Sequence, residues 1–142
     1  MIAVGCDHGG YELKREIIRY FENNNIQYLD LGTHTKESTD YPIYAKLVCN
    51  SILSGECDKG ILICGTGIGI SIVANRYRGI RAALCGDCFS AQATREHNDA
   101  NVLALGARVT GAGLAIKIVD TFLNTPFSGD ERHIHRIQQI EE

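Results

Sequence analysis

A thiol stands at the start of a glycine-rich loop in the segment ILICGTGIGIS, residues 61–71. Cys64 ends an apolar run, and glycines follow at positions 65, 67 and 69. A strand-to-helix turn of this kind presents backbone N–H groups that favour negative charge, and a thiol placed there can be deprotonated near neutral pH. Cys64 is therefore a candidate nucleophile or general base. The alternative is a small buried residue that only ends a strand.

The glycine loop departs from the common nucleotide-binding sequences. Ile70 occupies the place of the last glycine in the dinucleotide motif G-x-G-x-x-G, and no Lys-Ser or Lys-Thr pair follows, as a P-loop requires. The chain has 14 basic and 17 acidic residues, so it carries no positive excess for nucleic acid or an anionic membrane. We expect any bound anion to be small and locally held.

Two further groups of polar residues could take part in acid–base chemistry. Asp7 and His8 follow the first apolar run, and His97 and Asn98 lie in the segment REHND, just before the last apolar run. A lone histidine is more often structural than catalytic. Two histidines beside carboxylates and amides in loop positions favour a functional role.

Arginines near the end of the chain could bind a phosphate. Arg132 and Arg136 are four residues apart, so on a helix they share one face and could hold one phosphate group. The alternative is a solvated basic face. Arg108, after the last apolar run, is a third candidate.

A cysteine pair and a histidine pair suggest chemistry that we consider less favoured. Cys85 and Cys88 have the C-x-x-C spacing of redox and zinc motifs, but there is no second C-x-x-C. His133 and His135 are two residues apart on a predicted helix, so their rings point to different faces. Chance adjacency among six cysteines is the simpler interpretation.

Five apolar runs alternate with segments of helical periodicity. This alternation predicts one domain over 1–142, an α/β, doubly wound (Rossmann-like) open parallel sheet of about five strands with flanking helices and a C-terminal helix. The strands near residues 1–6, 60–64 and 81–85 are continuously apolar, which predicts burial on both faces. No run approaches the roughly 20 residues that span a bilayer, and the N-terminus lacks a signal-peptide pattern. We expect a soluble, cytoplasmic protein.

The combination of motifs closely resembles the family of ribose-5-phosphate isomerase B and galactose-6-phosphate isomerase. The resemblance covers essentially the whole chain, in order, through GCDHGGYELK, DYP, GILICGTGIGISIVANRYRGIRAALC, REHNDANVLALGARVTG and RHIHRI. It implies interconversion of an aldose phosphate and a ketose phosphate without a metal or any other cofactor.

The resemblance also implies a role for each candidate residue. Cys64 corresponds to the general base, His97 to the acid–base group that opens the sugar ring, and Asp7 to its assistant. Thr66 is placed to relay a proton between the two sugar oxygens. The remaining implied roles fall into two sets: an oxyanion hole of backbone N–H groups at Gly65, Gly67, Ile68 and Gly69, and substrate or phosphate contacts at His8, Asn98, Arg108, Arg132 and Arg136.

In relatives the site is shared between two subunits, with the segments matching His97, Asn98 and Arg108 contributed by the neighbour. We therefore expect a homodimer or a dimer of dimers, with a small sugar phosphate as the other partner and neither nucleic acid nor membrane. Ribose 5-phosphate and ribulose 5-phosphate are the expected substrates. A hexose 6-phosphate, from galactose or allose, is the main alternative, and a non-catalytic sugar-phosphate-binding regulator is another.

Overall fold

A computed structural model describes all 142 residues of the chain. Strands and helices alternate along it, with one turn of 3-10 helix at His8–Gly10 and a final pair of helices. The strands are β1 (Ile2–Cys6), β2 (Tyr28–Asp30), β3 (Lys59–Cys64), β4 (Ala82–Leu84) and β5 (Val102–Gly106). The helices are α1 (Tyr11–Asn23), α2 (Tyr41–Leu53), α3 (Ile68–Ala74), α4 (Cys88–Asn98), α5 (Ala112–Asn124) and α6 (Glu131–Ile140).

The five strands form one parallel sheet in the order β2-β1-β3-β5-β4. Each connection between parallel strands returns the chain to the amino edge of the sheet, as parallel pairing requires. The chain moves outward from β1 to β2 and then crosses to β3 on the other side, so the strand order reverses between β1 and β3. A crevice at such a point is where doubly wound sheets bind ligands. The predicted fold class is confirmed.

The core has one apolar layer on each face of the sheet. Side chains alternate between the faces along each strand, so Ile61 and Ile63 pack toward α1, α4 and α5, whereas Leu62 and Cys64 pack toward α2 and α3. This alternation places the Cys64 side chain on the α2–α3 side of the sheet.

One expectation about the strands is wrong. The run near residues 81–85 was expected to be covered on both faces, but β4 is a short edge strand and Leu84 is 45% exposed. The strand enclosed between two neighbours on that side is β5, whose five residues are all buried. Both runs are apolar, and apolarity alone does not show which of them lies at an edge. None of the helices combines the length and the apolarity needed to cross a membrane.

Candidate active site

The carboxyl ends of β1 and β3 bring two of the predicted segments together. Cys6 pairs with Ile63 in the sheet, so Asp7 and Cys64 follow neighbouring strand positions. A methyl group built on Gly9 would lie 3.2 Å from the backbone nitrogen of Gly65. The turn that carries Asp7 and His8 therefore packs directly against the glycine loop.

Asp7 organises this turn through one of its two carboxylate oxygens. Its Oδ1 accepts the backbone N–H groups of Gly9 at 2.9 Å and Gly10 at 3.2 Å. Its Oδ2 accepts no protein hydrogen bond, and no fully buried side-chain oxygen lacks a partner. Oδ2 is therefore the oxygen that remains accessible to a ligand.

The hydrogen bond of His8 fixes the tautomer of its neutral ring. The Nδ1 atom accepts the backbone N–H of Thr39 at 3.1 Å. Because Nδ1 is the acceptor, the proton of the neutral imidazole resides on Nε2. His8 thus offers Nε2–H as a donor toward an anionic ligand, and the β2–α2 loop holds the ring in place.

The thiol of Cys64 interacts with the loop that follows it. Its side chain is buried, and Sγ accepts the backbone N–H of Gly67 at 3.1 Å. Gly67 has a φ of +78°, a left-handed conformation that favours glycine. The sulfur is therefore held at the start of α3 with a backbone N–H directed at it.

The four residues predicted as an oxyanion hole divide into two pairs. The N–H of Gly67 donates to Cys64 Sγ, and the N–H of Ile68 donates to Thr66 Oγ1 at 3.2 Å. The N–H groups of Gly65 and Gly69 have no protein acceptor, and neither does that of Thr66. These three N–H groups are therefore available to an anion at this loop.

Arg108 lies over the same loop within its own chain. Its backbone N–H donates to the carbonyl of Gly65 at 2.9 Å, and its Nη1 lies 3.1 Å from the Cβ position of Gly65. The resemblance implied that Arg108 comes from the neighbouring subunit, but the structure places it in the Cys64 loop of the same chain. Pairing of Cys64 with Gly106 in the sheet explains this position.

Tyr41 is a site residue that sequence reasoning did not assign. A methyl group on Gly69 would lie 2.9 Å from the Tyr41 hydroxyl oxygen, so the phenol covers the end of the glycine loop. The hydroxyl has no hydrogen-bond partner in the protein. Its position in the segment DYP, at the start of a helix, is the sequence feature that could have identified it.

His97 and Asn98 lie at the opposite edge of the sheet. They occupy the last turn of α4, just before β5 begins at Val102. The backbone carbonyl of Asn101 accepts the N–H of Gly60 near the start of β3, which places this segment at the amino edge. An 11-residue helix is about 16 Å long, so α4 separates His97 from the carboxyl edge.

The predicted phosphate ligands Arg132 and Arg136 lie on the helix that packs against His97. Both are exposed on α6, whose His133 stacks on His97 with ring centroids 4.6 Å apart. One chain therefore carries two sets of predicted site residues at opposite edges of its sheet. The carboxyl-edge set contains Asp7, His8, Cys64, Thr66 and Arg108, and the amino-edge set contains His97, Asn98, Arg132 and Arg136.

The C-x-x-C segment forms neither a disulfide nor a cluster of metal ligands. Burial raises the pKa of Cys85 to about 11, with a further contribution from Asp87, which opposes thiolate formation in the C-x-x-C segment. Both Cys85 and Cys88 are free thiols. No group of three or more His, Cys, Asp or Glu residues is arranged to hold a metal ion.

A doubly wound α/β domain with a thiol, a carboxylate and an imidazole beside a glycine loop is suited to moving protons on a small anionic substrate. Comparisons with known proteins specify this class. The family model described as Ribose/Galactose Isomerase matches residues 2–140. The chain belongs to this family and is a sugar-phosphate isomerase.

Relatives share the full length of the chain. Ribose-5-phosphate isomerase B of Escherichia coli (strain K12) is 50% identical over 139 residues, which cover 98% of this chain and 93% of that protein. A solved structure of ribose-5-phosphate isomerase B from Clostridium thermocellum is 53% identical, with a TM-score of 0.96, and the match covers 99% of this chain and 94% of that one. The galactose-6-phosphate isomerase subunit LacB of Clostridium acetobutylicum is 39% identical over 142 residues, covering 100% of this chain and 82% of that protein. The alternative of a non-catalytic regulator is therefore set aside.

Proposed function

We propose that this chain interconverts ribose 5-phosphate and ribulose 5-phosphate, with Cys64 as the base that transfers the proton between C2 and C1. The observation that carries the proposal is the buried Cys64 thiol, whose Sγ accepts the Gly67 N–H beside the Asp7–His8 turn. The names of its full-length relatives, ribose-5-phosphate isomerase B, support this substrate.

The reaction needs a base that removes a proton from C2 of the open-chain aldose and returns one to C1. Cys64 Sγ is the proposed base, because it ends β3 beside the Asp7–His8 turn and lies at the start of α3, where the Gly67 N–H donates to it. The proton on the sugar oxygens must also move from O2 to O1. Thr66 Oγ1 accepts the Ile68 N–H, which leaves its O–H free for this relay.

The enediolate formed by proton removal carries negative charge on a sugar oxygen. The free N–H groups of Gly65, Thr66 and Gly69 are the proposed donors to that oxygen. Loss of one such donor in other enzymes lowers the rate about a hundredfold or more. The N–H groups of Gly67 and Ile68 act instead on the base and on the relay hydroxyl.

Ring opening and phosphate binding require the residues at the amino edge. His97 is the proposed acid–base group for ring opening, with Asp7 Oδ2 assisting at the sugar hydroxyls and Asn98 binding the substrate. Arg132 and Arg136 are exposed and could grip a phosphate from one helix face. His8 Nε2–H and Arg108 would complete this grip from the carboxyl edge.

The separation of the two sets supports a homodimer with shared sites. A single sugar phosphate that contacts both Cys64 and His97 needs the carboxyl edge of one chain and the amino edge of another. Exposed apolar side chains on α3, beside the glycine loop, offer a surface for such a contact: Ile68 is 51% and Ile72 is 61% exposed. A dimer of dimers is compatible with the same shared site.

The proposal is tested by replacing Cys64 with alanine and measuring ketose formation from ribose 5-phosphate in the presence of a chelator. We expect kcat to fall by about 10² to 10⁴, the usual contribution of a positioned general base. Cys88→Ser is the matched thiol control and should retain wild-type kcat. Near-normal turnover by Cys64→Ala would exclude Cys64 as the base.

The substrate is tested in parallel with ribose, allose and galactose phosphates. The highest kcat/KM with ribose 5-phosphate supports the proposal. A clear preference for a six-carbon phosphate would instead favour the hexose alternative, which the similarity to the galactose-6-phosphate isomerase subunit motivates.

A further inference from the structure

Arg81 lies immediately before β4, and its side chain binds two segments that carry proposed site residues. Its Nε donates to the backbone carbonyl of Asn98 at 2.9 Å, and its Nη2 donates to that of Asp99 at 2.9 Å. Its Nη1 donates to Glu141 Oε1 at 2.8 Å. One guanidinium thus contacts both the end of α4 and the residue that follows α6.

The contacts to α4 satisfy groups that a helix end leaves unpaired. Asn98 is the last residue of α4, so its carbonyl has no partner within the helix. Asp99 has a left-handed φ of +44°, and its carbonyl also points to Arg81. A positive charge at a helix C-terminus is further favoured by the helix dipole. Arg81 therefore fixes the turn that presents His97 and Asn98.

The contact to Glu141 anchors the far end of α6. Glu141 Oε1 accepts from Arg81 and Oε2 accepts the backbone N–H of Gly79 at 2.9 Å. The hydrogen bond from Arg81 is the main reason that the pKa of Glu141 lies below its ordinary value. At the other end of α6, His133 stacks on His97. Helix α6 is thus tied to the His97 segment at both ends.

We propose that Arg81, with Glu141 as its partner, is a positioning residue that sets the phosphate-binding arginines of α6 relative to His97 and Asn98. This inference rests on the proposed function of those residues. Ring opening and phosphate binding act on opposite ends of one substrate, so the separation between the two groups must be fixed. The side chain of Arg81 is only 18% exposed, and its charge is shared between the two segments.

The two partners should affect the kinetics differently. Glu141→Gln keeps the shape of the side chain but weakens the attachment of α6, so we expect KM for ribose 5-phosphate to rise several-fold and kcat to change little. Arg81→Gln also releases the end of α4, so we expect the same rise in KM together with a fall in kcat of about tenfold or more, since small displacements of reacting groups cost up to about 10² in rate. The double variant should have the same KM and kcat as Arg81→Gln alone, because both substitutions break the same contact between Arg81 and Glu141.

Matched controls separate the proposed role from a general loss of charge. Arg78 and Glu142 are exposed neighbours of the pair with no side-chain hydrogen bond, so Arg78→Gln and Glu142→Gln should leave KM and kcat at wild-type values. Amide hydrogen exchange provides a readout that is independent of activity. Glu141→Gln should increase exchange in the last turns of α6 only, and Arg81→Gln should increase it there and at the end of α4.

The outcomes distinguish this inference from the proposed function. A wild-type protein that forms no ketose from any of the sugar phosphates overturns the proposed function, and the exchange pattern then still tests the coupling between α4 and α6. An active wild type with unchanged KM and kcat in both Glu141→Gln and Arg81→Gln overturns the positioning role. Equal loss of activity in the control variants would do the same.

Discussion

The imidazole ring of His133 stacks against that of His97, with a centroid separation of 4.6 Å and an angle of 20° between the ring planes. His133 is buried on α6, whereas His97 is exposed at the end of α4. Two imidazolium rings in contact would repel each other, so the stack favours a state in which at most one of the two rings is an imidazolium. Burial disfavours protonation of His133 in particular.

This stack predicts a pH dependence of stability. Burial lowers the pKa of His133 below its ordinary value of 6.5, with additional lowering by His97, Arg132 and Arg136 and an opposing effect of Asp130. The unfolded chain therefore takes up a proton near pH 6.5 that the folded chain resists. The stability associated with a neutral His133 is fully present above pH 6.5 and is lost as the pH falls below that value.

We expect the free energy of unfolding to decrease between pH 7.5 and pH 5, and to decrease less in His133→Phe, which keeps an aromatic ring without a titrating group. Urea unfolding at a fixed chain concentration measures this difference. His135→Phe, on the exposed side of the same helix, should behave as the wild type does. If His133→Phe loses as much stability as the wild type over this range, His133 does not supply the effect.

The close contacts around Gly67 predict that one added methyl group lowers both stability and activity. A Cβ atom there would lie 2.5 Å from Leu84 Cδ1 and 2.8 Å from the carbonyl carbon of Leu105, and the φ of +78° already disfavours any side chain. Gly67→Ala should lower the free energy of unfolding by about 2 to 5 kcal/mol from the two effects combined, and it should lower kcat by shifting the N–H that binds Cys64. Gly86→Ala, where a Cβ meets nothing within 4 Å, is the control. Chemical denaturation of both variants checks the prediction, and equal stability of the two would contradict it.

The hydrogen bonds of the buried Lys14 ammonium predict that this side chain stabilises the fold. Its Nζ donates to both carboxylate oxygens of Asp30, at 3.1 and 3.0 Å, and to the carbonyl of Thr33 at 2.6 Å. The Lys14 side chain is 2% exposed. Lys14→Met removes the ammonium group that pairs with Asp30 and with the Thr33 carbonyl, so we expect a loss of about 3 to 5 kcal/mol in the free energy of unfolding.

The matched control for this lysine is Lys36→Met, which removes an ion pair with Glu12 on the surface and should change stability little. The same denaturation experiment compares the two variants. A similar small effect of both substitutions would show that the buried pair contributes no more than the exposed one.

The sequence predicts the elements of this fold better than their arrangement. Apolar runs and helical periodicity identify the five strands, and pairing of β1 with β3 then brings the loops of Asp7 and Cys64 together. The edge position of β4 has no local signal, because its residues are as apolar as those of β5. The contact between Arg81 and Glu141 joins residues 60 positions apart, so no motif spacing reveals it.

The alternation of strands and helices also predicts where His97 lies. A helix that connects parallel strands runs from the carboxyl edge back to the amino edge, so a residue at the end of α4 must lie far from a residue at the end of β3. The resemblance implied that His97 comes from a neighbouring subunit. The geometry of a single chain gives a physical reason to expect a second subunit.

The proposed site shared between two subunits makes a quantitative prediction for mixed dimers. Cys64→Ala removes the proposed base, and His97→Asn removes the proposed ring-opening group, so each homodimer should have little activity. In a mixed dimer, one site combines the intact Cys64 of one subunit with the intact His97 of the other, and the second site carries both changes. Unfolding and refolding an equal mixture of the two variants should therefore restore about a quarter of the wild-type activity, because half of the dimers are mixed and each has one intact site. Mixing without refolding is the control. No recovery after refolding, in a mixture that light scattering shows to be dimeric or larger, would mean that each site is built from a single chain.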